Sequence, residues 1–467
     1  MNSIIQQITV KMVNEVTKKA SSDKLFDLDA LAAEVFKTCT DTAKSLVQAI
    51  IRARNLQLRE DKKFRKSEGL TIKEKDRPRQ IMTKLGMIEW ERDYYYDKKE
   101  GKPVYPLDQM MGIRSYERIG DEVSAELLNR ATEVSYARSA DIVTGGEVSR
   151  QSVRNHLLKA NIPEKQPKEE KKEIQELHLY ADEDHVHLQK PGKEQGKQNQ
   201  IVPLVTVTEG TCQVGKRRNR TIEPMHFVDE NQRSEQLWKS VEGYISKAYD
   251  TDRLKHLYIH ADGGGWVKGG LKDLPQVIHV MDGYHFYKEL RRVSKRYPQK
   301  HLQVTVLNAL KENDRKKIDR CVEELPETDE DILEFRTYLF GNWEAIRKLV
   351  TMDDIPGSCT EGQVSHILSE RFSRNPMGWS RKGLGKLSKL RVYCCNGGKL
   401  RGKDLKPESR QEQYREYLDR FINENLEGAT DWSIFEHELP IMNGNSGTQS
   451  LVKWYGTDRG VFGNILN

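Results

Sequence analysis

Residues 174–189 read IQELHLYADEDHVHLQ, a strand whose composition and acidic middle decide the fold. Side chains alternate across a strand, so Asp182 and Asp184 share a face and Glu183 points away. A second strand follows in IVPLVTVTEG (201–210) and a third in RNRTIEPMHFV (218–228), joined by the loop GTCQVGKRRNR (210–220). Then come a helix, SEQLWKSVEGYISKAY (234–249), and a strand, LKHLYIHAD (254–262). A short Gly-rich, Trp-containing helix leads to the strand QVIHVMD (276–282) and the helix YHFYKELRRVSKRY (284–297). The order β-β-β-α-β-α-β-α predicts an α/β protein with an RNase H-like core.

Downstream, 298–352 reads as helix throughout, including DEDILEFRTYLFGNWEAIRKLV, and predicts a helical insertion in the core. IPGSC closes it, and Thr360 opens a new helix with Gln363 three residues on, the spacing of a capping box. The tail holds one more helix, SRQEQYREYLDRFINENL (409–426), and a Gly-rich end. Upstream, NIPEKQPKEEKKE (161–173) has two prolines and dense mixed charge, as an interdomain linker does. Before it, 28–58 reads as a long amphipathic helix with Leu28, Leu31, Val35, Cys39, Ala43, Leu46 and Ile50 on one stripe. KEKDRPRQ (73–80) breaks that pattern. Residues 81–96 turn to strand composition, with Ile88, Trp90, Arg92, Tyr94 and Tyr96 on one face and Gly86 at a hairpin turn. SYARSADIVTGGEVSRQSVRNHLLKA (135–160) reads as helix, Gly-Gly turn, helix, with Ser149 capping the second. That is the shape of a helix-turn-helix with Ser149, Arg150, Gln151 and Arg154 leading into a major groove. A helical hairpin without a DNA role fits the same text equally well.

The expected organisation is therefore an N-terminal DNA-binding region (1–160), mostly helical with a small β-hairpin, and a linker (161–175). The core's first part (176–297), the helical insertion (298–355), the core's last helix with a basic segment (356–406) and a tail (407–467) follow.

On this layout three acids stand apart. Asp182 lies within the first strand, and Asp262 ends the fourth, at the mouth where α/β sheets place their chemistry. Glu361 sits in the first turn of the helix after the insertion. The first and fourth strands are neighbours in such a sheet, and Glu361 reaches both acids if its helix packs across. Phosphodiester chemistry needs such a cluster: two Mg²⁺ ions about 3.5–4 Å apart activate the attacking oxygen and stabilise the leaving one. Without metal, like charges would raise one another's pKa. Asp184 and Glu183 compete with Asp182, and Glu370 with Glu361. Twenty residues past Asp262, Asp282 and His285 form an Asp-x-x-His pair at the end of the next strand, placed to orient a scissile phosphate. A turn or helix-cap role for any one of these acids is the plain alternative.

The net charge of +6 says little, but its distribution says more. Residues 371–406 hold eleven Lys or Arg against one acid, Asp404, which gives +10 there and leaves −4 for the remainder. Such a stretch predicts a polyanion site, with Arg371, Arg374, Arg381 and Lys382 gripping phosphates. The six cysteines form no CxxC pair, so neither a disulfide framework nor a zinc ribbon is expected, and Cys394 and Cys395 read as strand residues. No apolar run approaches the roughly 20 residues of a membrane span, and the N-terminus lacks a signal-peptide pattern. The expected location is the cytoplasm, at the nucleoid.

With these residues in place, the chain resembles the ISLre-two family of bacterial insertion-sequence transposases, distant relatives of the Mutator-like group. LHLYADEDHVHLQ (177–189), YIHADGGGWVKGG (258–270), VIHVMDGYHFYKEL (277–290) and EGQVSHILSERFSRNPMGWSRKG (361–383) carry the resemblance, with a weaker match in GMIEWERDYYYD (86–97) and YPLDQMMGI (105–113). It implies a DDE catalytic domain in which Asp182, Asp262 and Glu361 are the acids and Asp282 with His285 the accessory pair. Trp266 and Trp379 sit in matching motifs, either stacking on DNA ends or packing in the core. The three glycines after Asp262 depart from related sequences and imply a looser loop. The expectation is a transposase that uses Mg²⁺, with Mn²⁺ substituting. It would bind double-stranded DNA at terminal inverted repeats, cut a strand and join the freed 3′ end to target DNA. Pairing two ends calls for a homodimer or higher oligomer. The alternatives are a sequence-specific DNA-binding regulator with an inactive core, and a host nuclease on the same fold.

Overall fold

In the computed structural model the described residues are 2–20, 27–189, 198–215, 218–267, 269, 277–323, 330–352, 359–375 and 377–406. The helix expected at 409–426 lies outside them, as do most of the loop at 189–200 and most of IPGSC. The chain divides into two compact units, one of 1–50, 79–90 and 117–406, the other containing 51–78 and 91–116.

The amphipathic stripe at 28–58 forms α2 (Leu28–Glu60), between α1 (Asn2–Ala20) and the short α3 (Lys62–Ser67), and α4 (Pro106–Met110) comes after the first three strands. A three-stranded sheet holds β1 (Leu70–Thr83), β2 (Gly86–Asp97) and β3 (Lys102–Val104) in that order. KEKDRPRQ ends the helical pattern as expected, and it lies inside β1, an edge strand, the kind of strand in which a proline is tolerated. The expected face of β2 slips. Ile88 and Trp90 are buried, but further along it is Asp93 and Tyr95 that are buried, while Tyr96 is exposed. Asp93 explains the slip. Its carboxylate accepts from Arg59 Nε at 2.8 Å and Nη2 at 2.6 Å, and from the Asp76 backbone N–H at 3.1 Å. A fully buried carboxylate is tolerated only with such partners.

In the larger unit, α5 (Asp121–Ala131), α6 (Tyr136–Thr144) and α7 (Arg150–Lys159) form a three-helix module. The expected Gly-Gly turn and cap are both there. Gly145 takes φ 61° at the end of α6, and Ser149 Oγ accepts from Ser152 N at 3.2 Å at the start of α7. Val153 and Leu157 bury one face of α7, leaving Arg150, Gln151 and Asn155 exposed.

The main sheet contains β4 (Glu176–Leu188), β5 (Gln198–Thr208), β8 (Met225–Phe227), β9 (His256–Ala261) and β10 (Val277–Met281), in the order β10-β9-β4-β5-β8. β4 pairs antiparallel with β5 and parallel with β9, and β9 pairs parallel with β10. The result is a mixed α/β sheet. Leu177, Leu179 and Ala181 of β4 join Leu257 and Ile259 of β9 in a core against α8 (Ser234–Ala248), which contributes Leu237, Trp238, Val241 and Ile245. The other face carries a file of rings. His178 stacks on Tyr258 at 5.0 Å, Tyr180 stacks on His260 at 4.7 Å, and the two histidines share a 3.1 Å hydrogen bond.

The third strand is shorter than the sequence predicts. Arg218–Thr221 (β7) turns away to pair with Thr211–Gly215 (β6), and only β8 joins the sheet. At its outer edge the Asn396 side chain accepts from His226 N and donates to His226 O, both at 2.9 Å. The 298–352 stretch is helical as predicted, in Leu302–Glu312, Arg315–Glu323, Glu330–Gly341 and Trp343–Thr351. These pack with the helix Gly283–Arg296 around Phe286, Leu290, Leu310 and Trp343. Cys394 and Cys395 end the buried helix Arg381–Cys395 rather than lying in a strand. Among the described residues no helix is long and apolar enough to cross a membrane.

Burial pushes His226 down to about 4 and His260 down to about 3, so both imidazoles stay neutral in the fold. An unfolded imidazole titrates near 6.5, so between that pH and about 4 the unfolded chain binds more protons than the folded one. Stability should therefore fall as pH drops through that window, by up to about 1.4 kcal/mol per pH unit for each such histidine. Urea melts of wild type and His226→Asn between pH 7.5 and 4.5 check this. The variant should show the shallower decline, and parallel declines would contradict it.

Candidate metal centre

Three parallel strands set three acids at one level. Ala181 of β4 pairs with Ala261 of β9, which pairs with Met281 of β10, so the next residues, Asp182, Asp262 and Asp282, stand side by side. The preceding residues enter the α8 side of the sheet or its flanking core, so the acids fall on the opposite face, beyond Tyr180 and His260.

Asp282 is fully buried and caps the helix Gly283–Arg296. One of its oxygens accepts from Tyr284 N at 3.3 Å, and the other lies 2.7 Å from His285 Nδ1. That contact fixes the imidazole and leaves Nε2 as the nitrogen facing outward, the carboxylate–histidine arrangement that supports metal ligands. The pair predicted as accessory thus offers one nitrogen that could hold a metal, together with the carboxylate that supports it.

Glu361 arrives on a segmented helix: Thr360–Val364, a π-helical turn over Ser365–Ser369, and Glu370–Phe372. Cys359, not Thr360, is the N-cap, and the expected capping box is not formed because Cys359 makes no side-chain cap bond. Among the described residues, Asp182, His285 and Glu361 form a group whose ligand atoms all lie within 4.8 Å of one another. Two oxygens and an imidazole nitrogen at that spacing fit one divalent ion.

Asp262 stands next to this group rather than in it. Its Oδ1 accepts from Gly264 N at 2.9 Å, which turns the carboxylate toward its own loop. The loop is less free than the glycine run suggests. Gly263 holds φ 88°, and a Cβ there would come within 2.5 Å of Asn342 Oδ1. Trp266 packs at 6.0 Å from Trp238, and its indole N–H donates to Glu183, the acid on the far face of β4. The competitors for the acid positions do other work. Asp184 accepts from Ser373 Oγ at 2.9 Å, and Glu370 lies 3.6 Å from Arg391.

Electrostatics follows geometry. Burial, together with the charges of Asp262 and Asp282, raises Asp182 to about 7, against the lowering effect of the Glu183 N–H and His285. His285 is pushed up, first by its bond to Asp282 and then by the Asp282, Asp182 and Asp262 charges, against burial.

The basic segment is placed quite differently from its charge count. Arg371 is buried, with Nε bonded to Ala131 O at 3.0 Å and Nη2 to Val134 O at 2.8 Å, and burial lowers its pKa to about 10. It has no face left for a phosphate, which corrects its assignment as a DNA grip. Lys386 donates to Ala160 O at 2.8 Å and Lys389 to Glu164 at 3.0 Å. Arg374, Arg381 and Lys382 are exposed; Arg374 reaches Ser365 Oγ at 2.6 Å and Arg381 bonds Gln200. Trp379 is a core residue: it is buried and donates to Phe372 O at 3.1 Å.

Residues 21–409 match UPF0236, an uncharacterised protein family. A UPF0236 protein of Caldanaerobacter subterraneus subsp. tengcongensis is 32% identical over 408 residues, 85% of either chain. A UPF0236 protein of Streptococcus gallolyticus, described as lying in the vanSb 3′ region, is 24% identical over 345 residues, 68% of this chain and 73% of that one. Among solved structures, the Drosophila P element transposase strand transfer complex aligns at 10% identity over 63% of this chain and 86% of that one. Its TM-score of 0.21 is too low to argue from.

Removing a neighbouring charge should move the buried acid. Without added metal, Asp182 should lose its proton near pH 7, and Asp262→Asn should shift that midpoint downward because a like charge is gone. Carboxyl-carbon NMR of Asp-labelled protein reads both midpoints. An unchanged midpoint in the variant would show that the two acids do not interact.

Proposed function

We propose that this chain, which belongs to the UPF0236 family, is a metal-dependent DNA-cleaving and strand-joining enzyme: a DDE-type transposase on an RNase H-like core. One observation carries the reading. Acids 179 residues apart in the sequence, Asp182 and Glu361, meet within 4.8 Å together with His285 at the open end of parallel strands. The strand order β10-β9-β4-β5-β8, with β4 central, supports the RNase H-like assignment. The ISLre-two resemblance is consistent with both.

The donors suit Mg²⁺ with Mn²⁺ in its place: two carboxylates, a third at hand in Asp262, and one imidazole to which Mn²⁺ is the more tolerant partner. A bound divalent ion would neutralise the charge that builds up on a phosphate during strand cleavage. The protein's own part is positional. Asp182 and Glu361, on a strand and a helix, would hold the ion with His285, which Asp282 orients, and Asp262 would join them if it released Gly264. On this reading Arg150 and Arg154 on α7 would make phosphate or base contacts in duplex DNA. Arg374, which reaches Ser365 on the Glu361 helix, and Arg381 and Lys382 add exposed charge that would grip phosphates. Work on two element ends calls for at least a homodimer on DNA, with the nucleoid as its workplace.

Cleavage of inverted-repeat DNA with Mg²⁺ or Mn²⁺ is the test. Asp182→Asn and Glu361→Gln should each reduce cutting by more than about 100-fold, and Asp282→Asn by about 10- to 100-fold through His285. Cutting that survives Asp182→Asn would remove the assignment. Cut ends left unjoined would point to a nuclease, and binding without cutting to a regulator. In the same binding assay, replacing Arg154 should flatten the salt dependence by about one unit of slope if it contacts a phosphate.

A further inference from the structure

The π-helical turn Ser365–Ser369 lies between Glu361 and the residues that fasten the same helix to the sheet. Its far end is anchored. Ser373 donates to Asp184 of β4, Phe372 is buried, and Arg371 is bonded to Ala131 O and Val134 O. Its near end carries Glu361, which is exposed. A π turn holds one residue more than the α-helical ladder accommodates, so tightening it to α geometry would turn everything before it by about 100° around the helix axis. Glu361 would then leave Asp182 and His285.

What opposes the tightening is visible. Arg391, on the buried helix Arg381–Cys395, donates from Nε to Ile367 O and from Nη2 to His366 O at 2.7 Å, two carbonyls of the π turn. Its remaining arm, Nη1, donates to Thr132 O at 2.7 Å, at the C-terminal end of α5. The guanidinium fork suits three carbonyls at once, and its charge is favourable at a helix C-terminus. The side chain is only 11% exposed, so water offers the carbonyls little in exchange.

We infer that Arg391 is a positioning residue for Glu361: it locks the π turn in its wide form and ties it to the same 131–134 turn of the three-helix module that Arg371 holds. The inference rests on Glu361 being a metal ligand, but the lock itself can be read without metal. Arg391→Met keeps the length and removes every donor, and Arg391→Lys restores one. Lys386→Met is the control, since it strips an inward donor from the same helix at a carbonyl, Ala160 O, outside the π turn.

Two measurements on the full chain decide it: Mn²⁺ titration by calorimetry, and hydrogen exchange of 360–372 read by mass spectrometry without metal. Arg391→Met should weaken Mn²⁺ binding by about 10- to 100-fold, Arg391→Lys by less, and Lys386→Met not at all. Exchange at 360–369 should accelerate in Arg391→Met and stay at the wild-type rate in Lys386→Met. Wild-type affinity in Arg391→Met, or an equal loss in Lys386→Met, would overturn the inference. If wild type itself binds no Mn²⁺, the metal reading fails; the exchange comparison then still decides whether Arg391 holds the turn, and unchanged exchange in Arg391→Met overturns it. If Arg391→Met does not fold, Arg391→Lys carries both readouts.

Discussion

Adjacent strands of a sheet lie about 4.8 Å apart, and parallel pairing in register puts equivalent residues at one level. Asp182, Asp262 and Asp282 occupy three such positions in a row, on the face that carries the rings of His178, Tyr180, Tyr258 and His260. Unrelieved, that much negative charge would oppose folding. The structure relieves it three ways. Asp282 pairs with His285, Asp262 turns to a backbone N–H of its own loop, and Asp182 holds its proton to about pH 7. A cation in the gap between Asp182, His285 and Glu361 would relieve it further.

Much of this was legible in the residues. The alternation of 176–188 and the spacing of later apolar runs gave the strands of the main sheet, and the Gly-Gly and Ser149 signals gave the helical pair. Asp262 and Asp282 were legible because strand ends are, and Asp182 because an acid stands out within an apolar strand. Tertiary partners were not. Pro78 sits within a strand because that strand is an edge, and the face of β2 slips because Arg59, far off in sequence, reaches Asp93. RNRTIEPMHFV reads as one strand, yet divides between two sheets. No local pattern announces a π turn, since its stability comes from Arg391, more than twenty residues along.

The basic segment shows where counting charges misleads. Eleven cations against one acid looks like a polyanion site. Arg371, Lys386 and Arg391 instead bond main-chain carbonyls, and Lys389 pairs with Glu164. Buried carbonyls at helix ends need donors as much as phosphates do, and long cationic side chains supply them from a distance. Exposure separates the two uses, and composition does not contain it.

The open side of β8 is closed by one side chain, Asn396, whose amide matches the donor and acceptor of His226 as a neighbouring strand would. An unpaired border of this kind is where proteins add strands from other molecules and begin to aggregate. With that border occupied from within, β8 offers no free main-chain pair at His226 onto which a strand of another molecule could be added.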